Sequence, residues 1–234
     1  MRKKSTNYYD DTPEATELRR LFHKIHKLQL DHKHQVFMVT SSNTGEGKST
    51  ISAYLAIEAA RYPNNPTLLL DCDLRRPMVH KLFGLKLQNG IADVVEAQKD
   101  IGSVWKDTKL PNLKIITAGK VHRNPVDMFT SKRFSQVIYN LRLYFKTIIV
   151  DVPPIIPVTD TLLLSSHVDG ILFVVLAGKT PKRVAIRAME LLHDSKKKII
   201  GAVVNNLKSV LPYYYDYQYY NYKYADEDAL ESAE

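Results

Sequence analysis

"TSSNTGEGKSTIS" (residues 40–52) closes one apolar run, "QVFMVTS" (35–41), and leads without a break into a helical stretch at 48–61. The segment from Ser42 to Ser49 matches the phosphate-binding loop pattern G-x-x-x-x-G-K-[ST], except that Ser42 stands at the first glycine. Gly45 and Gly47 let the backbone curl so that successive N–H groups point inward at phosphate oxygens. The helix that follows adds its positive N-terminal end. Lys48 is then within reach of the β- and γ-phosphates, and the Ser49 hydroxyl is placed to ligate Mg2+. Ser42, Asn43, Thr44, Gly45, Glu46, Gly47, Lys48, Ser49 and Thr50 form the candidate nucleotide cradle. The bland alternative is a polar turn capping a helix. A strand before, a helix after and an intact Gly-Lys-Ser-Thr argue against it.

Outward from this loop, short apolar runs alternate with helical stretches. "TLLLD" (67–71), "LKIITA" (113–118), "TIIVD" (147–151), "GILFVVL" (170–176) and "KIIGAVVN" (198–205) read as further buried strands. Helices are expected at 48–61, 131–144, 158–167 and 181–194. This alternation, with strands apolar on both faces, implies an α/β fold: a doubly wound, mostly parallel sheet of the P-loop type with helices on both faces. Sites on such sheets lie at the carboxyl ends of the strands. Residues 14–30, with Leu18, Leu21, Phe22, Ile25 and Leu28 at helical spacing, form an amphipathic helix. The expected organisation is an N-terminal interaction region (1–34), the P-loop domain (35–211) and a tail (212–234).

Two more strand ends carry acids. "LLLDCDLRRP" (68–77) ends a strand with Asp71 and Asp73 on one face, because strand side chains alternate. "TIIVDVPP" (147–154) ends another with Asp151. One acid after an apolar strand is usually a solvated turn, but three beside a P-loop make a metal–triphosphate site. Cys72 points to the opposite face and is read as packing, and Trp105 as core. No Cys or His pair has zinc spacing; His23, His26, His32 and His34 read as a solvated helix face and the turn after it. Arg75 and Arg76 are candidates for contacts to phosphate, to an activator or to a neighbouring subunit.

The chain has 234 residues and a net charge of +8. Its last ten residues hold five acidic side chains and no basic one, which leaves +13 on residues 1–224. A basic body suits anionic ligands, with nucleic acid or a membrane surface as other options. A single cysteine makes no internal disulfide and suggests a reducing compartment. No apolar run approaches the roughly 18 residues of a membrane helix, so the expectation is a soluble protein that meets a membrane only through a partner.

The composite of "SSNTGEGKST", "LLLDCDLRRP", "IIVDVPPIIPVTD", "RNPVDMFTSKRF" (123–134) and "IIGAVVNN" (199–206), closed by "YYYDYQYYNYKY" (213–224), resembles the bacterial tyrosine kinases of capsule and exopolysaccharide synthesis. The resemblance is to the short form that is separate from its transmembrane activator, and it runs from about residue 14 to the end. It implies ATP and Mg2+ as cofactors, with Lys48, Asp71 and Asp73 catalytic. Asp71 would accept the phenol proton, and Ser49, Asp73 and Asp151 would serve the metal. Asn205 occupies the family's adenine-contacting position, with Asn206 beside it as the other choice. The tail would be the substrate of a neighbouring subunit, at Tyr213, Tyr214, Tyr215, Tyr217, Tyr219, Tyr220, Tyr222 and Tyr224. Implied partners are other copies of the chain, in a homo-oligomer or ring, a transmembrane polysaccharide co-polymerase as activator, and a tyrosine phosphatase. No nucleic acid is expected. The implied location is cytoplasmic, at the inner face of the cell membrane.

The pattern departs from the family at two places. The helix motif that closes the ring has a Glu and two Arg at three-residue intervals; here Glu17 and Arg20 are followed by His23. Histidine is mostly neutral at pH 7 and lacks the guanidinium fork, so ring assembly is expected to be weaker or pH-sensitive; an ordinary surface helix is the alternative. Thr44 stands where proline is common, which removes no phosphate contact. Two other functions remain in view. A partition or division-site ATPase would usually carry a second lysine where Asn43 stands. A non-catalytic, nucleotide-dependent scaffold would more often have lost one of Lys48, Ser49, Asp71, Asp73 and Asp151.

Overall fold

The structure is a computed structural model that describes residues 13–206. The tyrosine cluster at 213–224 lies outside the described residues. The elements in chain order are α1 (Pro13–His32), β1 (Val36–Ser41), α2 (Lys48–Arg61), β2 (Thr67–Asp71), α3 (Val79–Leu82), α4 (Ile91–Glu96), β3 (Lys106–Asp107), β4 (Leu113–Ile116), α5 (Pro125–Phe129), α6 (Lys132–Tyr144), β5 (Thr147–Asp151), α7 (Asp160–Ser165), β6 (Gly170–Leu176), α8 (Lys182–Leu191) and β7 (Ile199–Asn205). The seven strands lie in the order β3-β4-β2-β5-β1-β6-β7. All neighbours are parallel except the β3–β4 pair at the edge. β1 sits between β5 and β6, where the strand order reverses direction, and a ligand crevice is expected at such a point.

Alternation along each strand builds two cores. Val36, Met38, Leu68, Leu70, Ile148, Val150, Ile171 and Phe173 face one side and pack with residues of α4, α5, α6 and α7. Phe37, Val39, Leu69, Ile149, Leu172 and Val174 face the other, under α1 and α2. Successive side chains point to opposite faces, so one apolar run supplies both layers.

The helices begin and end at recognisable signals. Asn124 accepts a hydrogen bond from Val126 N, with Pro125 next, and starts α5; Ser131 accepts from Phe134 N and starts α6. Both are side-chain caps that satisfy an otherwise orphaned amide. α1 buries Phe22 and Ile25 on α2 and stops at Lys33, which is left-handed (φ 58°) and donates its N–H to Gln29 O. A left-handed residue closes many helices in this way.

Some details differ from the sequence reading. The edge pair β3 and the short helices α3, α4 and α5 were not foreseen, and the strand expected at 113–118 ends at Ile116. Helix α7 is shorter than 158–167: it starts at Asp160, after a turn at 155–157, and a further turn at 166–167 follows its end at Ser165. His26 is half-buried, 4.4 Å from the Tyr62 ring, so it is not on the solvated face expected. Trp105 is only partly buried, edge-on to Phe145 at the rim of the core.

Candidate active site

The carboxyl ends of β1, β2 and β5 meet under the start of α2. Register sets the acids: Asp71 and Asp151 are direct partners on adjacent strands, and Val39 of β1 pairs with Asp151 on its other side. Asp73 follows on the same face as Asp71, where its Oδ2 accepts from Lys48 Nζ at 2.7 Å. Lys48 Nζ is also 3.9 Å from Asp151 Oδ1. Cys72, between the two aspartates, is fully buried in the apolar core, as a packing residue should be.

Burial alone would lower the Lys48 ammonium's pKa, but the charges of Asp151 and Asp73 outweigh it and hold the group above its ordinary value. Burial pushes Asp151 up to about 6, against the attraction of Lys48 and a hydrogen bond from Ser49. Asp71 is raised well above the usual carboxylate range by burial and then by the charge of Asp151. Its two oxygens accept from the Asp73 and Val79 amides, both at 3.1 Å. The residues thus hold more negative charge than one lysine balances, and a site of this kind favours an added cation.

The Asp151 Oδ2 atom also suits a cation, since it is buried without a hydrogen-bond partner. Ser52 Oγ donates to the other oxygen at 3.2 Å. Mg2+ in phosphate sites usually takes one or two protein oxygens, with phosphate and water completing the shell. The Ser49 hydroxyl and the unpaired Asp151 oxygen fit that requirement.

The loop above is shaped for phosphate. Gly45 (φ 80°) and Gly47 (φ 93°) are left-handed, and a side chain on Gly47 would run into the Asn205 amide. Gly47 caps α2 with no side-chain hydrogen bond, and no acidic residue occupies the first turn. The first amides of α2 are therefore open to an anion. Thr44, Gly45 and Thr50 are exposed, Asn43 and Ser49 half-buried, and Ser42 is buried with its hydroxyl unpartnered. Glu46 is buried and turned into the loop.

Not every expected residue joins the site. Asn205 lies on the loop, donating from Nδ2 to Glu46 O at 3.1 Å. The Asn206 amide donates to the Asn205 side chain, which separates the roles of the two asparagines. Arg75 is already committed: its fork grips the buried Asp160 through Nε at 2.8 Å and a terminal nitrogen at 2.9 Å. Arg76 is exposed, and its amide donates to Asp73 Oδ1. Glu17 and Arg20 form an exposed ion pair at 2.6 Å far from the loop in sequence, with His23 exposed on the next turn. Sequence reasoning missed Asp160 and Thr180. Asp160 ends the segment 148–160, and the Arg75 it anchors offered the only hint.

Comparison with known proteins is consistent with this geometry. The ParA family model, described as NUBPL iron-transfer P-loop NTPase, matches residues 32–230. Tyrosine-protein kinase YwqD of Bacillus subtilis is 34% identical over 194 residues, covering 83% of this chain and 81% of YwqD. Putative tyrosine-protein kinase CapB of Staphylococcus aureus is 30% identical over 223 residues, 92% of this chain and 97% of CapB. The crystal structure of the chimerical protein CapA2B2 superimposes with a TM-score of 0.78 at 28% identity, covering 82% of this chain and 84% of that one. With a ParA-type P-loop domain and relatives of this similarity over most of their length, the chain belongs to the family of bacterial tyrosine-protein kinases.

Proposed function

We propose that the protein is an autokinase that transfers the γ-phosphoryl group of ATP to tyrosines of its own C-terminal cluster, from one copy to another, and so regulates capsule or exopolysaccharide synthesis and export. The observation that carries this reading is the buried Lys48–Asp73–Asp151 constellation beneath an uncapped helix start. In the reaction the phenol oxygen forms a bond to phosphorus, the bond to the β-phosphate oxygen breaks, ADP leaves and the phenol proton goes to a carboxylate. Mg2+, when bound, would supply charge neutralisation at the phosphates. Ser49 and Asp151 would hold it. Lys48 would leave Asp73 for the phosphates and stabilise their charge, while the α2 amides and the Gly45–Gly47 backbone orient them. Asp71 would take the proton: burial strengthens it as a base, and each oxygen keeps a lone pair beyond the one spent on a backbone amide. Positioning matters more than base strength, because the transition state is loose. Asn205 is the candidate adenine contact.

The tail supplies a switch of adequate size. Eight phosphotyrosines would add about −12 to −16, against the +13 carried by residues 1–224. Phosphorylated tails would then repel one another and disperse an oligomer joined through Glu17, Arg20 and His23. A transmembrane co-polymerase would activate the kinase and hold it at the inner membrane face, and a phosphatase would reset it. Among the described residues no helix is long and apolar enough to cross a membrane.

The test incubates purified protein with Mg-ATP, with and without a Lys48→Met copy, and maps phosphate by mass spectrometry. Phosphotyrosine between 213 and 224 that appears on the Lys48→Met chain only when the unaltered chain is present supports transfer between copies. Hydrolysis of ATP with an unmodified tail would replace the kinase reading with a partition-type ATPase. If neither occurs, adding the cytoplasmic segment of an activator separates a dormant kinase from a scaffold.

A further inference from the structure

Glu46 is the one acidic residue within the P-loop, and a carboxylate facing a triphosphate would oppose its binding. The structure turns it the other way. Its side chain is 4% exposed, and both oxygens are engaged: Oε2 accepts from Asn43 N at 2.9 Å, and Oε1 accepts from the Thr180 hydroxyl at 2.5 Å. Thr180 is itself held in the turn after β6, where its hydroxyl accepts from Leu176 N at 3.0 Å and its amide donates to Leu176 O at 2.9 Å. From the opposite side Asn205 Nδ2 donates to the Glu46 carbonyl. One residue thus closes the loop on itself and fastens it to the ends of β6 and β7.

We infer that Glu46 is a positioning residue for nucleotide binding: its carboxylate holds the P-loop in its phosphate-ready curve before the nucleotide arrives, and Thr180 anchors it to the sheet. The inference rests on the nucleotide-binding part of the function proposed above. Two left-handed glycines and an exposed Thr44 give this segment many alternative conformations. A loop ordered in advance loses less entropy on binding, and the saving appears as affinity. The contacts of Glu46 need an acceptor and a partner for a hydroxyl, not a charge. Glutamine can supply both, with Oε1 accepting from Asn43 N and Nε2 donating to Thr180 Oγ.

The experiment compares the full chain with Glu46→Ala, Glu46→Gln and Thr180→Val. Mg-ATP affinity is read by titration with a fluorescent analogue, and amide exchange is followed in nucleotide-free protein. Loss of hydrogen bonds to a charged group predicts a Kd for Glu46→Ala raised about ten- to thirtyfold. Glu46→Gln stays within about threefold, and Thr180→Val falls between them. KM for ATP rises in Glu46→Ala while kcat at saturating ATP holds within about threefold. The Asn43 amide exchanges faster in Glu46→Ala and at the normal rate in Glu46→Gln. An unchanged Kd in Glu46→Ala, a Glu46→Gln as weak as alanine, or unchanged Asn43 exchange would overturn the inference. If Glu46→Ala does not fold, Thr180→Val decides, and normal affinity there overturns it. Nucleotide binding without tyrosine transfer by the unaltered chain would instead count against the kinase reading and leave the effect on Kd readable.

Discussion

At the amino-terminal end of the sheet, Asp169 accepts four hydrogen bonds: from the Gln35 and Val36 amides at 2.8 and 2.9 Å, and from both terminal nitrogens of Arg142 at 2.7 and 2.8 Å. Nearby, the buried Asn65 amide is exchanged with Thr147, and Gln29 reaches over to the same hydroxyl. At the carboxyl end, Asp151 leaves an oxygen unpaired and stands directly opposite Asp71. Burial opposes ionisation of Asp169 as well, yet Arg142 and the two amides pull its pKa below the usual carboxylate value; Asp151 is pushed up to about 6. The same residue type serves as a fastener at one end and as stored charge at the other. Active sites commonly keep such charge, at a cost in stability that the rest of the fold offsets.

The largest effect expected from breaking this contrast is on chemistry. Lys48→Met should lower tyrosine transfer about a hundred- to a thousandfold, measured by phosphate incorporation at saturating ATP, with near-native circular dichroism. Next is Asp169→Ala, which strands the Arg142 guanidinium and two amides. It should reduce stability by about 2–3 kcal/mol in urea unfolding and leave the transfer rate per folded molecule unchanged. A variant that loses activity without losing stability would show that the amino end reaches the site. Asp151→Asn should do the reverse and stabilise the metal-free protein by about 1 kcal/mol while abolishing metal-dependent transfer.

Acidity sharpens the same contrast at smaller amplitude. Because folded Asp151 titrates near pH 6, above an unfolded carboxyl, the native state holds the extra proton between about pH 4 and 6. The strain of its charge is present at pH 7 and relieved as pH falls through that window, so the gain from Asp151→Asn should shrink toward zero near pH 4. Asp169 has the opposite sign. Its contribution is present above about pH 4 and lost only as pH falls further, through its lowered folded value. Unfolding curves at pH 7, 5, 4 and 3 in chelator would show Asp151→Asn converging on the unaltered protein by about pH 4, and Asp169→Ala beginning to converge only below it. Parallel pH profiles would refute the contrast.

The carboxyl end was the legible one. Its residues belong to local patterns, with glycines and a lysine at set offsets and acids at strand ends, and period-2 alternation placed Asp71 and Asp73 together. The fasteners were not legible, since Arg142 with Asp169, Asn65 with Thr147 and Arg75 with Asp160 are 27, 82 and 85 residues apart and follow from topology alone. β3 was missed because two residues, Lys106 and Asp107, are too few to show alternation. Helix α3 lacks a side-chain cap, and α4 starts at a glycine whose amide donates to the Asp93 side chain three residues on, whereas α5 has an Asn-Pro start that can be read in retrospect. Glu46 looked like a phosphate neighbour because a linear motif carries no direction for its side chains.

Asn205 closes β7 within touching distance of Gly47, so the chain leaves the sheet at the phosphate loop itself. Tyr213 lies eight residues beyond Asn205 and Tyr224 nineteen, spans that a fully extended chain would cover in about 28 and 65 Å. If these tyrosines are the acceptors proposed above, contour length alone does not forbid self-transfer. Preference for a neighbour's site must come from how subunits are turned toward each other. Transfer between copies should fall in rate as the protein is diluted; a rate that levels off on dilution would instead reveal self-transfer at the local concentration a tether imposes.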